Sequence, residues 1–233
     1  MLKCVEKLKA GQHITIVALG DSVTEITFHT RGHMNWVGLL SEAIFEAYGA
    51  GVCTMINSGK CGTTACDALK RLDRDVLRFQ PDLVIISFGL NDAYGGLEAL
   101  PVFRQGISEL VRRIREHNGA EILIRTPNPI VTAHGLPLPP EQPQVGRPWN
   151  SSKHPVKEYA AALRELAGEL ACSVVDHYSL WENSEQPFKQ SVANPQGLWP
   201  RMSDALHPGP LGHRMFFREL APLFQVAPRF PWE

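Results

Sequence analysis

Four short stretches carry residue types that could jointly perform acyl transfer. They are Gly20-Asp21-Ser22, Asn57-Ser58-Gly59-Lys60-Cys61-Gly62, Gly89-Leu90-Asn91-Asp92 and Asp204-Ala205-Leu206-His207-Pro208. A serine hydroxyl is a weak nucleophile until a base takes its proton, and the base needs a group to orient it. Asp204 and His207 are three residues apart, so in a turn the carboxylate reaches one ring nitrogen and leaves the other to accept from a serine. The oxyanion that develops needs donors. A loop glycine such as Gly62 can present its backbone N–H, and Asn91 a side-chain amide. One donor of this kind typically contributes about 3 kcal/mol in the transition state. Singly, each stretch reads as ordinary: a serine in a strand-to-helix loop, a turn glycine, Asn-Asp turn chemistry, a histidine leading into a helix. Their joint occurrence at matching strand ends is what points to chemistry.

The elements between them supply those strand ends. Ile14–Leu19 is apolar without polar alternation, the pattern of a buried strand, and Gly20 lets the chain turn off its tip. Val52–Ile56, Leu83–Phe88, Glu121–Arg125 and Ser173–Val175 are four further strand-like runs. Apolar residues at helical spacing fill His33–Tyr48, the stretch from Thr64 to about Phe79, Pro101 to Asn118, and Pro155 to about Leu170. Thr64 and Asp67 form a capping-box pair. Tyr178–Gln190 and a last segment from Pro208–Pro210 to about Phe224 also read as helices. Alternating strands and helices imply parallel strands with right-handed crossovers, hence an α/β three-layer sandwich around a five-stranded parallel sheet. Ligands bind such sheets at the carboxyl ends of the strands.

Residues 1–233 read as one domain, without an internal repeat or a domain-sized linker. Thr126–Trp149 holds seven prolines, and we read it as a surface insertion spanning about 126–152 that starts at the catalytic end of the sheet. It could be a lid or a subunit contact, so a homo-oligomer stays open. Lys plus Arg is 23 and Asp plus Glu 24, which leaves no basic stripe for a nucleic acid. Apolar runs such as Leu83–Ile86 are too short for a membrane span. The N-terminus lacks the apolar core of a secretory signal, so a cytoplasmic location is expected. The five cysteines (4, 53, 61, 66 and 172) contain no C-x-x-C pair and fit reduced thiols better than a disulfide framework or zinc site.

The four stretches resemble the motif blocks of the SGNH hydrolases, also called GDSL esterases and lipases, over nearly the whole chain from Ile14 to about Leu220. The resemblance implies a flavodoxin-like fold and ester hydrolysis with no metal and no cofactor. It implies Ser22 as nucleophile, His207 as base, Asp204 as its orienter, and Ser22 N–H, Gly62 N–H and Asn91 as the oxyanion hole. Ser22-Val23-Thr24-Glu25-Ile26 lacks the glycine often found after the first block, and Lys60 and Cys61 stand where many members carry small or apolar residues. Thr24 also breaks the G-x-S-x-G elbow of the α/β-hydrolases.

The expected substrate is a small ester, short-acyl and in the first instance acetyl in its acid part, with an acetylated sugar as one alcohol part. A lysophospholipase, a thioesterase and a non-catalytic carbohydrate-binding protein are the alternatives. His29 and His33 could line the cleft, although structural or surface roles are commoner. Asp21 is expected to hold its turn by hydrogen bonding. Trp149, Trp181 and Trp199 could stack on a sugar ring, although core packing is the commoner fate of tryptophan.

Overall fold

Five parallel strands form a single sheet in the computed structural model, which describes residues 2–25, 28–130, 154–183, 202–204 and 206–227. They are β1 (Ile14–Gly20), β2 (Cys53–Gly59), β3 (Leu83–Ser87), β4 (Glu121–Arg125) and β5 (Ser173–Val175), ordered β2-β1-β3-β4-β5. The chain steps from β1 to β2 on one side, then crosses to β3 on the other. The crevice above β1 and β3 is therefore the switch point at which such sheets hold ligands.

The helices are α1 (Lys3–Lys9), α2 (Trp36–Tyr48), α3 (Ala65–Asp75), α4 (Leu100–Asn118), α5 (Val156–Glu169), α6 (His177–Asn183) and α7 (Pro210–Phe224). Helix α3 packs on α4 and α4 on α5, while α2 packs on α7, so helices cover both faces. Every residue of β3 is buried, as a central strand between two helical layers requires. Ile14, Ile16, Val17 and Leu19 of β1 are fully enclosed, and burying each such side chain contributes about 1.5–3 kcal/mol.

The structure moves several boundaries. Strand β2 runs on through Asn57, Ser58 and Gly59, which read as loop, because it stays in register with β1 up to the Gly20–Gly59 pair. Helix α2 starts at Trp36, not His33: the Asn35 side chain accepts from the Val37 and Gly38 amides and caps it. The Thr64–Asp67 capping box is present, but α3 stops at Asp75. A separate 3-10 turn, Leu77–Phe79, follows and ends on Gln80 at φ +48°. Helix α1 lies outside the elements expected from the sequence; it buries Cys4, Val5 and Leu8 despite its charges. The Tyr178–Gln190 helix is seen as α6, and its remainder lies outside the described residues, as does most of the 126–152 insertion.

Candidate active site

Ser22 sits in a tight turn at the tip of β1. The Asp21 carboxylate accepts from the Val23 amide at 2.9 Å, and the Thr24 and Glu25 amides donate back to the Asp21 carbonyl. The expected turn-holding role of Asp21 is thus visible as a bond. Asn35 and Asn57 both donate to the Thr24 carbonyl at 2.7 Å, tying the turn to α2 and β2. The fit against β2 is backbone to backbone. A Cβ on Gly59 would lie 2.2 Å from the Glu25 amide nitrogen, so that site admits only glycine without a shift of the chain. Arg71, buried, donates to the Gly20 carbonyl at 2.9 Å and the Ser58 carbonyl at 2.8 Å, and pairs with Asp75 at 3.0 Å. It clamps the tips of β1 and β2 together directly beneath the turn.

Asp204 and His207 lie on a closed turn. Met202 and Pro208 form an antiparallel bridge, and the Ser203 amide donates to the His207 carbonyl at 2.7 Å. Inside the turn Asp204 Oδ1 accepts from the Leu206 and His207 amides at 2.8 and 2.6 Å. Asp204 Oδ2 lies 2.9 Å from His207 Nδ1. The other ring nitrogen, Nε2, lies 3.0 Å from Ser22 Oγ across 185 residues of sequence. Burial acts to raise the Asp204 pKa, but the His207 ring and the two amides outweigh it, and the carboxyl ends below its usual value. An ionised carboxylate takes the proton on Nδ1, which leaves Nε2 as an acceptor facing the hydroxyl.

Two backbone amides of the expected site are unspent. Those of Ser22 and Gly62 donate to no acceptor among the described residues, whereas the Lys60 amide bonds the Gly20 carbonyl and the Cys61 amide bonds Glu25. Gly62 holds φ +71°, a left-handed conformation open to glycine at little cost. Asn91 Nδ2 donates one hydrogen to the Thr63 carbonyl at 3.0 Å, keeping its other N–H in hand. Asp92 braces this arrangement by accepting from the Gly89 and Ala65 amides, each at 3.0 Å.

Behind the turn lies a polar cluster that sequence reasoning missed. Arg125, at the end of β4, donates to His177 Nε2 at 2.9 Å and stacks between the Trp36 and Phe216 rings. His177 bonds Glu219 through Nδ1, and the Trp181 indole donates to the same carboxylate at 3.2 Å. Burial pulls the guanidinium down to about 9, opposed by Asp21 and Glu219, so it stays charged at neutral pH. An arginine closing the apolar strand Glu121–Arg125 was the available signal; its partners lie 38 and more residues away. Trp181 is wholly buried against Phe216, so it cannot meet a sugar, and Trp149 and Trp199 lie outside the described residues.

These buried groups set a pH dependence. Burial holds His213 down at about 3 and His29 at about 4, and holds His177 well below its usual value. The unfolded chain therefore binds protons below about 6.5 that the native state refuses, and stability is lost as pH falls through that range. Burial lifts Asp21 and Asp92 to about 6, which has the opposite sign: between about 4 and 6 the native state binds the extra proton. Three imidazoles outweigh two carboxyls. The thermal midpoint should climb from pH 4.5 to 7, and His213→Gln should flatten the climb. A midpoint that falls over this range would refute the assignment.

Among the described residues, His29, Asp204 and His207 are the group that could hold a metal ion, their ligand atoms lying within 4.8 Å. The geometry suits proton transfer better. Both His207 nitrogens are engaged, and the two rings are stacked at 14°, so their lone pairs run side by side instead of converging. His33, by contrast, is exposed. All five cysteines are free, and burial raises the Cys61 and Cys66 thiols, the reverse of an activated thiolate. No described helix is long and apolar enough to cross a membrane.

Comparison with known proteins finds esterases. A model of the GDSL-like lipase/acylhydrolase family matches residues 18–215. The chain is 26% identical over 230 residues to the mouse (Mus musculus) isoamyl acetate-hydrolyzing esterase 1 homolog, covering 93% of this chain and 84% of the relative. It is 24% identical to the acetylxylan esterase of Geobacillus stearothermophilus, over 91% of this chain and 96% of that one. The crystal structure of Axe2, an acetylxylan esterase from the same organism, superposes with a TM-score of 0.69 at 19% identity, over 95% of this chain and 98% of that one.

Proposed function

The chain belongs to the GDSL-like lipase/acylhydrolase family, the SGNH hydrolases, and is a carboxylic ester hydrolase; we propose that it cleaves short acyl esters, acetyl esters above all, through an acyl-enzyme on Ser22. The observation that carries this reading is the 3.0 Å contact of Ser22 Oγ with His207 Nε2, with Asp204 on the opposite ring nitrogen. His207 takes the hydroxyl proton as Oγ attacks the ester carbonyl. The oxyanion is met by the Ser22 and Gly62 amides and by Asn91. Collapse expels the alcohol, which leaves with the proton from His207. Water, deprotonated by the same imidazole, then attacks the acyl-enzyme, releasing the acid and restoring Ser22.

The size of the acyl group follows from what flanks the nucleophile. A small pocket lined by Asp21 and Val23, the neighbours of Ser22, also has Leu90, Arg125 and Phe216 in its wall. The Asp21 carboxyl and the Arg125 guanidinium in that wall are already buried, so a long alkyl chain entering there would have to part them from their hydrogen-bond partners. An acetyl methyl avoids that cost. The two acetyl-ester relatives support the same acyl part and differ in the alcohol, an isoamyl group in one name and xylan in the other. We therefore expect kcat/KM for p-nitrophenyl acetate to exceed that for the octanoate by at least roughly tenfold, one or two methylenes of discrimination. Isoamyl acetate and acetylated xylo-oligosaccharide, run in parallel, identify the alcohol part. A preference for octanoate would replace this reading with a lysophospholipase or thioesterase.

A further inference from the structure

His29 is seven residues beyond the nucleophile, in a single 3-10 turn, Phe28–Thr30, and its ring is almost wholly buried. The plane of that ring lies over the plane of His207, with centroids 3.8 Å apart and 14° between them. Its Nδ1 is 3.1 Å from Ser203 Oγ and 3.7 Å from Asp204 Oδ2. One side chain just beyond the first stretch thus touches Asp204 and His207 of the last, and Ser203 beside it. The proposed reaction gives it nothing to do.

The base has a demanding geometry. Its Nε2 must face Ser22 while Nδ1 faces Asp204, and rotation about either side-chain bond breaks one contact or both. The Asp204 bond restrains one edge of the ring only. A flat partner pressed on the ring face removes the remaining tilt, and a misplacement of about 1 Å at such a site can cost on the order of a hundredfold in rate.

We infer that His29 is a positioning residue for the base: a neutral imidazole stacked on His207 that fixes the plane in which the ring exchanges a proton with Ser22. The inference rests on His207 acting as that base. Neutrality matters, because a charged partner would oppose the imidazolium formed in each half-reaction. Burial, then the nearby His207, hold His29 at about 4, so it is uncharged throughout the neutral range. A phenyl ring should serve in its place, since the contact needs a flat face and not a second proton.

The test is a cavity variant, His29→Gly, alongside His29→Phe and His207→Ala, with p-nitrophenyl acetate as substrate. His29→Gly should lower kcat about tenfold to a hundredfold with KM within about twofold. Added pyrazole, a flat azole that stays neutral at pH 7, should restore part of the lost kcat by refilling the cavity, and His29→Phe should keep most of the wild-type rate. Loss of packing alone would lower the thermal midpoint without an azole-dependent recovery of kcat. Wild-type kcat in His29→Gly, or a loss that neither pyrazole nor phenylalanine repairs, would overturn the inference. Should His207→Ala stay active, the assignment of the base itself falls; should it be dead while His29→Gly is unimpaired, only the stacking role falls.

Discussion

Ser22→Ala should reduce kcat for p-nitrophenyl acetate by roughly 10⁵–10⁶-fold and abolish covalent labelling by a fluorophosphonate probe. Alanine removes Oγ, the atom 3.0 Å from His207 Nε2 that the proposed reaction acylates, yet leaves the turn intact. The turn is held by Asp21 through the Val23, Thr24 and Glu25 amides, none of which involves the Ser22 side chain. Residual hydrolysis would then reflect water attacking a carbonyl polarised by the Gly62 and Ser22 amides and Asn91. Adding His207→Ala to Ser22→Ala should cost little more, because a base without its nucleophile has no proton to take. Near-wild-type turnover in Ser22→Ala, with the thermal midpoint unchanged, would remove the nucleophile assignment.

Asp204→Asn should lower kcat by about 10⁴-fold while KM barely moves. The side-chain carbonyl of asparagine can still accept from the Leu206 and His207 amides, so the turn closes as before. Its NH2 group then takes the position of Oδ2, 2.9 Å from His207 Nδ1. Two donors cannot share that contact, so the ring proton moves to Nε2. Nε2 becomes a donor facing Ser22, and the hydroxyl loses its base. The defect should ease at high pH, where the hydroxyl ionises without help. An Asp204→Asn enzyme within tenfold of wild type would mean that the carboxylate merely shapes the turn.

Strands β1 to β4 could be read because their apolar runs lie close to Gly, Pro or Asn. Boundaries failed where a tertiary contact overruled local composition: β2 continues through polar Asn57 and Ser58 because β1 pairs with it up to Gly20, which no local pattern encodes. At the site, residues adjacent in sequence were the legible ones. The Asp204–His207 contact spans three positions, and the spacing alone suggested it. Arg71 was hidden because it lies on the buried side of α3 between Ala68 and Leu72, where an arginine looks misplaced until the Gly20 and Ser58 carbonyls are seen beside it. His29 reads as one more histidine because the ring it covers is 178 positions further on.

The bridge between Met202 and Pro208 has a bearing on how such a chain can change over time. It makes acid and base a single cassette, whose internal distances are fixed by its own amides and owe nothing to the length of polypeptide leading into it. Insertions and deletions ahead of the cassette can accumulate while the Asp204–His207 pairing survives intact. Only its landing place against the nucleophile is under selection from outside.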